Sequence, residues 1–185
     1  METIRIETPL KSDELEQLAA GQKVLISGVI YTARDQAHKR LFNLIKEGKE
    51  LPFDFKNQVI YYVGPTPAPE NRVIGSAGPT TSGRMDEYTP LLIEKGLKGM
   101  IGKGNRKTPV VDAIKLNKAV YFAAIGGAGA LISDCIIESS IIAFEELGTE
   151  AIRRLVVKDL PTIVAIDSKG NNLYEIGIEN YLGKA

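Results

Sequence analysis

The residues best suited to chemistry lie in Gly75 to Asp86, Gly-Ser-Ala-Gly-Pro-Thr-Thr-Ser-Gly-Arg-Met-Asp. Three glycines, one proline and four hydroxyl side chains fall within these twelve residues, with a fixed cation at Arg84. Glycine permits positive φ and lets a ligand come close to bare backbone, Pro79 stiffens the turn, and the hydroxyls and Arg84 offer donors to an anion. The composition suits an anion cradle. Gly78 to Gly83 has the G-x-x-x-x-G spacing of a P-loop, but Arg84 and Met85 stand where Lys and then Ser or Thr are needed. The phosphate-reaching amine and the magnesium hydroxyl are therefore both missing. The segment alone does not separate a cradle from a glycine-rich strand-to-helix connection that binds nothing.

Three further residues bear on that choice. Arg34 falls where the strand-like run Lys23 to Tyr31 gives way to a helical stripe of Leu41, Leu44 and Ile45. Free backbone N–H groups and the helix dipole favour negative charge at such a junction, and an Arg there adds to an anion site; a surface pair with Asp35 is the plainer alternative. His38, the only histidine, lies one turn on at i+4 and shares the face of Arg34. It could orient or protonate a ligand, or serve as a solvated or capping group. Lys103 sits between Gly102 and Gly104, where small neighbours leave its ammonium free to enter a cleft or to remain solvated.

The elements that must position these residues alternate. Residues 3 to 7 read as a short strand, and Ser12 as the cap of a helix running to Leu18 and closed by Gly21. Gln58 to Val63 reads as a strand, then Pro65, Pro67 and Pro69 stiffen an extended connection into the cradle. Met85 to Lys95 reads as one helix, or as two short ones split at Pro90, and Pro109 opens a helix to Asn117. Ala119 to Ile125 and Cys135 to Phe144 are apolar runs, separated by a Gly-Ala segment, 126 to 130, that lacks dinucleotide-loop spacing and reads as a tight packing bend. Ile163 to Asp167 and Asn172 to Ile176 read as two strands joined by a hairpin at Ser168 to Asn171. The pattern predicts one α/β domain over residues 1–185, with a mixed sheet and flanking helices.

Composition bounds the partners. Lys plus Arg and Asp plus Glu number 23 each, so no global field favours nucleic acid or an anionic membrane, and any anion site is local. Met1 is followed by Glu2 and a strand-like run, without the pattern of a secretory signal, and no apolar stretch approaches the roughly eighteen residues of a membrane span. The expected compartment is the cytoplasm. Cys135 is the sole cysteine and reads as a small buried hydrophobe; one thiolate excludes an intrachain disulfide and a multi-thiolate metal centre.

Taken together, Tyr31-Thr32-Ala33-Arg34-Asp35-Gln36-Ala37-His38-Lys39-Arg40, Gly78-Pro79-Thr80-Thr81-Ser82-Gly83-Arg84-Met85-Asp86, Gly102-Lys103-Gly104 and Asp167-Ser168-Lys169-Gly170-Asn171-Asn172-Leu173-Tyr174 resemble the β subunit, or C-terminal domain, of class I iron-sulfur fumarate hydratases. The related L-tartrate dehydratase β subunit shares the Gly-Pro-Thr-Thr core, but this sequence follows the fumarase pattern at Tyr-Thr-Ala-Arg-Asp and at the glycine before Arg84. The resemblance implies a swivelling β/β/α domain and an α subunit that carries a [4Fe-4S] cluster, with no metal held here. The implied reaction is the reversible addition of water to fumarate giving L-malate, a step of the tricarboxylic acid cycle.

By motif position, the resemblance makes Arg34, Arg84 and Lys103 the residues that hold a C4 dicarboxylate. Thr80 is implied as the catalytic base, with Thr81, Gly83 and His38 as further substrate contacts and the complete site formed only between subunits. Tartrate dehydratase, a non-catalytic carboxylate-binding module and a homodimer of the isolated chain are the alternatives kept open.

Overall fold

In the computed structural model, residues 3–183 are described; the reading of Met1 and Glu2 as lacking a secretory pattern falls outside them. Seven strands form one sheet: β1 (Ile4–Glu7), β2 (Lys23–Thr32), β3 (Val59–Tyr61), β4 (Gly99–Gly102), β5 (Val120–Ala123), β6 (Ile136–Ala143) and β7 (Ile152–Ile166). Their order is β1-β2-β3-β4-β5-β7-β6, with a second pairing of β2 to β7. That pairing closes β2, β3, β4, β5 and β7 into a ring, and leaves β1 and β6 on the remaining edges of β2 and β7. Strands β1 to β5 run parallel, while β7 is antiparallel to β2, β5 and β6.

Alternation along the strands builds two apolar layers. Val59 and Tyr61, Ile101, and Val120 and Phe122 point into the ring, where they meet Val24, Ile26, Ile30, Leu155 and Val164. Ile60, Met100 and Tyr121 point outward and are covered by α2 (Asp35–Lys46), α3 (Thr89–Glu94) and α4 (Thr108–Asn117). Burial of both faces is why the parallel strands read as continuous apolar runs. Helix α2 carries Ala37, His38 and Leu41 inward, and α3 and α4 each have a proline in the first turn. The mixed sheet with flanking helices agrees with the fold class expected from the sequence.

Three local expectations change, and one open choice is settled. The helix α1 (Ser12–Gln17) begins on Ser12, but its cap is Lys11 and no side chain bonds the free N–H groups. After a 3-10 turn at Ser82–Met85, α3 starts later than Met85 and carries Pro90 in its first turn; the chain is not split at Pro90 into two helices. Strand β7 is far longer than Ile163 to Asp167, because Asp159 at φ 50° and a register shift against β2 let the strand bend and continue through Pro161.

Asn172 to Ile176 is not a strand; the turn at Ser168 to Asn171 does reverse the chain and pairs Ile166 with Asn172 in one antiparallel bridge, but a helix follows it. Asn172 caps a helix, α5 (Leu173–Leu182): its side chain accepts from Tyr174 N at 3.1 Å, and its Nδ2 donates to Glu175 Oε1 at 2.9 Å. An Asn followed three residues later by Glu is a helix-start pattern that outweighs the short β-like composition.

Candidate functional site

Strands β2, β3, β4 and β5 are parallel, so their carboxyl ends share one end of the ring. Thr32 leads to Arg34, Tyr61 to the loop that returns through Thr80 and Arg84, Gly102 to Lys103, and Ala123 to Gly126. Ligands of parallel α/β sheets bind outside this edge, where chain reversals leave main-chain groups and loop side chains facing a common space. The cradle thus meets Arg34 and Lys103 by topology, although it lies 40 to 50 residues after the first and about 20 before the second.

The cradle is fixed by main-chain bonds. Thr80 N donates to Tyr62 O at 2.7 Å, Lys103 N to Thr80 O at 3.3 Å and Ser82 N to Lys103 O at 2.9 Å. Thr81 and Lys103 accordingly form a parallel bridge. The Thr80 hydroxyl makes no hydrogen bond among the described residues, and the residue is half-buried. The Gly-Ala segment, read as a packing bend, packs against the cradle itself: Ala77 N donates to Gly129 O at 3.0 Å, and a β-carbon on Gly129 would stand 2.9 Å from Gly78 N. Gly126, in the same segment, lies beside the side chain of exposed Lys103.

Arg34 and Arg84 converge on one carboxylate. Asp35 Oδ1 is 2.7 Å from Arg84 Nε, and its Oδ2 is 3.5 Å from Arg34 Nη2. Glu150 lies 3.7 Å from the same Arg34 nitrogen and accepts from Gln36 N at 2.8 Å. Arg34 is therefore paired, as the plainer alternative supposes, but within a recess and not on the open surface: its side chain is 21% exposed, against 51% for Arg84. Two guanidiniums facing two carboxylates balance, and Lys103 adds a positive charge on the next strand end, bridged to the cradle at Thr81.

His38 departs from a solvated helix face. Its ring is fully buried, edge-on to Tyr62 at 5.0 Å between centroids, and its Nδ1 lies 3.0 Å from Arg34 O. Burial first, then the nearby Arg106 charge, lowers its pKa to about 4, so the ring is neutral at pH 7. What it touches is the backbone of Arg34.

Behind the cradle lies a charged pair that sequence reasoning missed. Arg106 Nε donates to Asp86 Oδ1 at 2.6 Å and its Nη2 to Thr89 Oγ1 at 2.9 Å, while Lys107 N donates to Asp86 Oδ2 at 2.7 Å. The side chain of Arg106 is wholly buried between Tyr62 and Tyr121, 5.3 and 4.9 Å from their ring centroids. Burial works against its charge, but Tyr62 and Asp86 outweigh it and hold the guanidinium ionised. The Tyr121 hydroxyl lies 2.9 Å from Ser82 Oγ and 2.8 Å from Gly104 O. These contacts lock the turn bearing Arg84 to the loop bearing Lys103. Neither Asp86 nor Arg106 carries a local signal, since their pairing spans 20 residues.

Cys135 is partly buried rather than fully so, and burial raises its thiol pKa. A thiol kept protonated suits packing, not metal ligation. Among the described residues no three His, Cys, Asp or Glu side chains gather as a metal site, and no helix is long and apolar enough to cross a membrane.

The family model described as Fumarase C-terminus matches residues 1–177. The chain is 40% identical over 164 residues to the anaerobic class I fumarate hydratase of Escherichia coli, covering 88% of this chain and 30% of that protein. It is 39% identical over 163 residues to fumarate hydratase 2 of Leishmania major, covering 87% of this chain and 29% of that protein. It thus spans under a third of the length of these two hydratases. With a Methanocaldococcus jannaschii protein carrying the provisional name L(+)-tartrate dehydratase subunit beta, identity is 37% over 172 residues, which is 90% of this chain and 88% of that protein. The matched span takes in the whole parallel edge with Arg34, the cradle and Lys103, and the chain belongs to the fumarase C-terminus family.

Proposed function

We propose that this chain is the β subunit of a two-subunit hydro-lyase that interconverts L-malate with fumarate and water, and that it supplies the cations for the dicarboxylate. The observation that carries this reading is the convergence of Arg34 and Arg84 on the single Asp35 carboxylate, in a cradle whose Thr80 is tied to Lys103 by a main-chain bond. Fork-shaped guanidiniums match planar carboxylates, and a C4 dicarboxylate needs cations at both ends. Near-complete coverage of a relative named as a β subunit supports a separate partner chain. Names of fumarate hydratases among the relatives support malate and fumarate as substrates.

In this reading Arg34, Arg84 and Lys103 bind and orient the dicarboxylate, Thr81 and the Gly83 backbone shape its seat, and His38 acts through the Arg34 main chain. Thr80 Oγ1 exchanges the proton on the carbon next to one carboxylate. A threonine hydroxyl reaches that role only where surrounding positive charge favours its ionised form, which Arg84 and Lys103 supply. The residues here do not suit an iron-sulfur cluster, so the [4Fe-4S] group is assigned to the α partner, and no step of this chain runs through it.

The test is anaerobic co-expression with a candidate α subunit, following fumarate absorbance with malate as substrate. The complex is expected to turn over, either chain alone to be inactive, and Arg84→Ala to assemble but lose at least ~100-fold in kcat/KM, the scale of a lost charged contact at a reacting centre. Dehydration of tartrate alone moves the substrate assignment, and failure to bind any α chain favours a carboxylate-binding module.

A further inference from the structure

Strand β7 ends where the run Asp167 to Tyr174 turns back towards the loop that bears Lys103. Asp167 is buried and makes the turn: its Oδ1 accepts from Lys169 N and Asn171 N, both at 3.0 Å, and its Oδ2 from Asn171 Nδ2 at 2.8 Å. Asn172, also buried, caps α5 with its Oδ1 and commits both amide hydrogens, one to Glu175 and the other to Asn105 Oδ1 at 3.0 Å. The Tyr174 hydroxyl accepts from Gly104 N at 3.1 Å, across 70 residues of chain. The Tyr121 hydroxyl donates to Gly104 O at 2.8 Å. Both main-chain polar groups of the residue after Lys103 therefore end on tyrosine hydroxyls.

Gly104 stands at φ 83°, where the chain turns after β4. Lys103 is exposed, so the direction of its side chain is set by the main chain on either side. On the cradle side, Lys103 N and O are bonded to Thr80 O and Ser82 N. On the other side the hold comes from Tyr121, Tyr174 and Asn172. A lysine's flexible four-carbon stem places its ammonium well only from a fixed root. We propose that Tyr174 and Asn172, at the start of α5, are positioning residues that fix the Lys103 loop and so direct its ammonium to the dicarboxylate. The proposal rests on the reading of Lys103 as a substrate cation. Tyr174 acts through its hydroxyl alone, since its ring packs against the outer apolar layer with or without that oxygen.

The first test needs no partner: amide hydrogen exchange of the full chain, followed by NMR. Tyr174→Phe keeps the ring and removes the acceptor, so the Gly104 amide is expected to exchange at least ~10-fold faster, while the Thr80 and Ser82 amides exchange as in the wild type. The second test is steady-state kinetics of the complex with the α partner. Tyr174→Phe is expected to raise the KM for malate about 5-fold with kcat changed less than about 2-fold, and to change nothing when Lys103→Ala is already present, because both act through one ammonium. Asn172→Asp keeps the helix cap but removes the donor to Asn105, and is expected to show the same dependence on Lys103. An unchanged Gly104 exchange rate, or a KM effect of Tyr174→Phe that persists in the Lys103→Ala background, overturns the proposal. A complex that stays inactive overturns the hydratase reading instead, and the Gly104 exchange rate still decides whether Tyr174 holds the loop.

Discussion

The side chain of Arg34 lies directly across the α-carbon of Gly64: a β-carbon built there would stand 2.6 Å from Arg34 Nη1 and 2.9 Å from its Cδ. Gly64 follows β3 and Arg34 follows β2, so two neighbouring strand ends meet through one guanidinium and a missing methyl group. Under the proposed function, Gly64→Ala is expected to push Arg34 from its recess and raise the KM for the dicarboxylate about 10-fold in the complex with the α partner. Combining it with Arg34→Ala is expected to add almost nothing to Arg34→Ala alone, because the two changes act through one contact. Steady-state kinetics on the four variants of this cycle decide the point; additive losses refute it.

Asp35 is the carboxylate that an anion held by both Arg34 and Arg84 would displace or share. Asp35→Asn leaves the Arg34 and Arg84 guanidiniums without their common counter-charge. Sulfate is expected to stabilise this variant against heat several-fold more strongly than it does the wild type, in a series matched for ionic strength. Because Arg84 is half exposed, the stability lost without ligand is at most about 1 kcal/mol. Equal sulfate responses would show that Asp35 does not compete for the site.

The Arg106 and Asp86 pair makes a different demand. Asp86→Ala leaves a buried guanidinium without its carboxylate, and a loss of about 3 to 5 kcal/mol by denaturant unfolding is expected. The double variant Asp86→Ala with Arg106→Met, which removes both charges, is expected to recover a large part of that loss. A double variant as unstable as the sum of the singles would assign the cost to packing instead.

Stability should depend on pH through His38. In the fold its pKa is lowered to about 4 from an ordinary 6.5, so the unfolded chain binds the proton more readily. The stabilisation is therefore complete above pH 6.5 and is lost as pH falls through 6.5 towards 4. Between pH 7 and pH 5 the loss is about 2 kcal/mol at 1.4 kcal/mol per pH unit. Urea titrations at the two pH values test it, and His38→Phe, which cannot take a proton, is expected to flatten that part of the profile.

Much of the molecule follows from local pattern. The apolar runs at β2, β5 and β6, the prolines that open α3 and α4, and the glycine-rich cradle are all legible, because hydrophobic alternation and turn chemistry act within a few residues. The candidate cations Arg34, Arg84 and Lys103 are legible through their motifs. The C-terminal helix is misread because Leu173 to Ile176 look strand-like, while the capping pair that decides the matter is Asn172 with Glu175. Strand β7 is read short because Pro161 normally ends a strand, and only its bend at Asp159 and its partners keep it in register.

The sequence by itself determined most of the alternation of elements, the glycine, hydroxyl and arginine content of the cradle and the single cysteine, since each rests on residue type and short spacing. Tertiary structure alone decided that the sheet closes through β2 and β7, that one Asp35 carboxylate joins two arginines, that His38 is buried and neutral, and that Arg106 is hidden behind the cradle on Asp86. Those outcomes depend on which strand ends become neighbours and on how far each charge is withdrawn from water, quantities set by contacts between residues far apart in the chain.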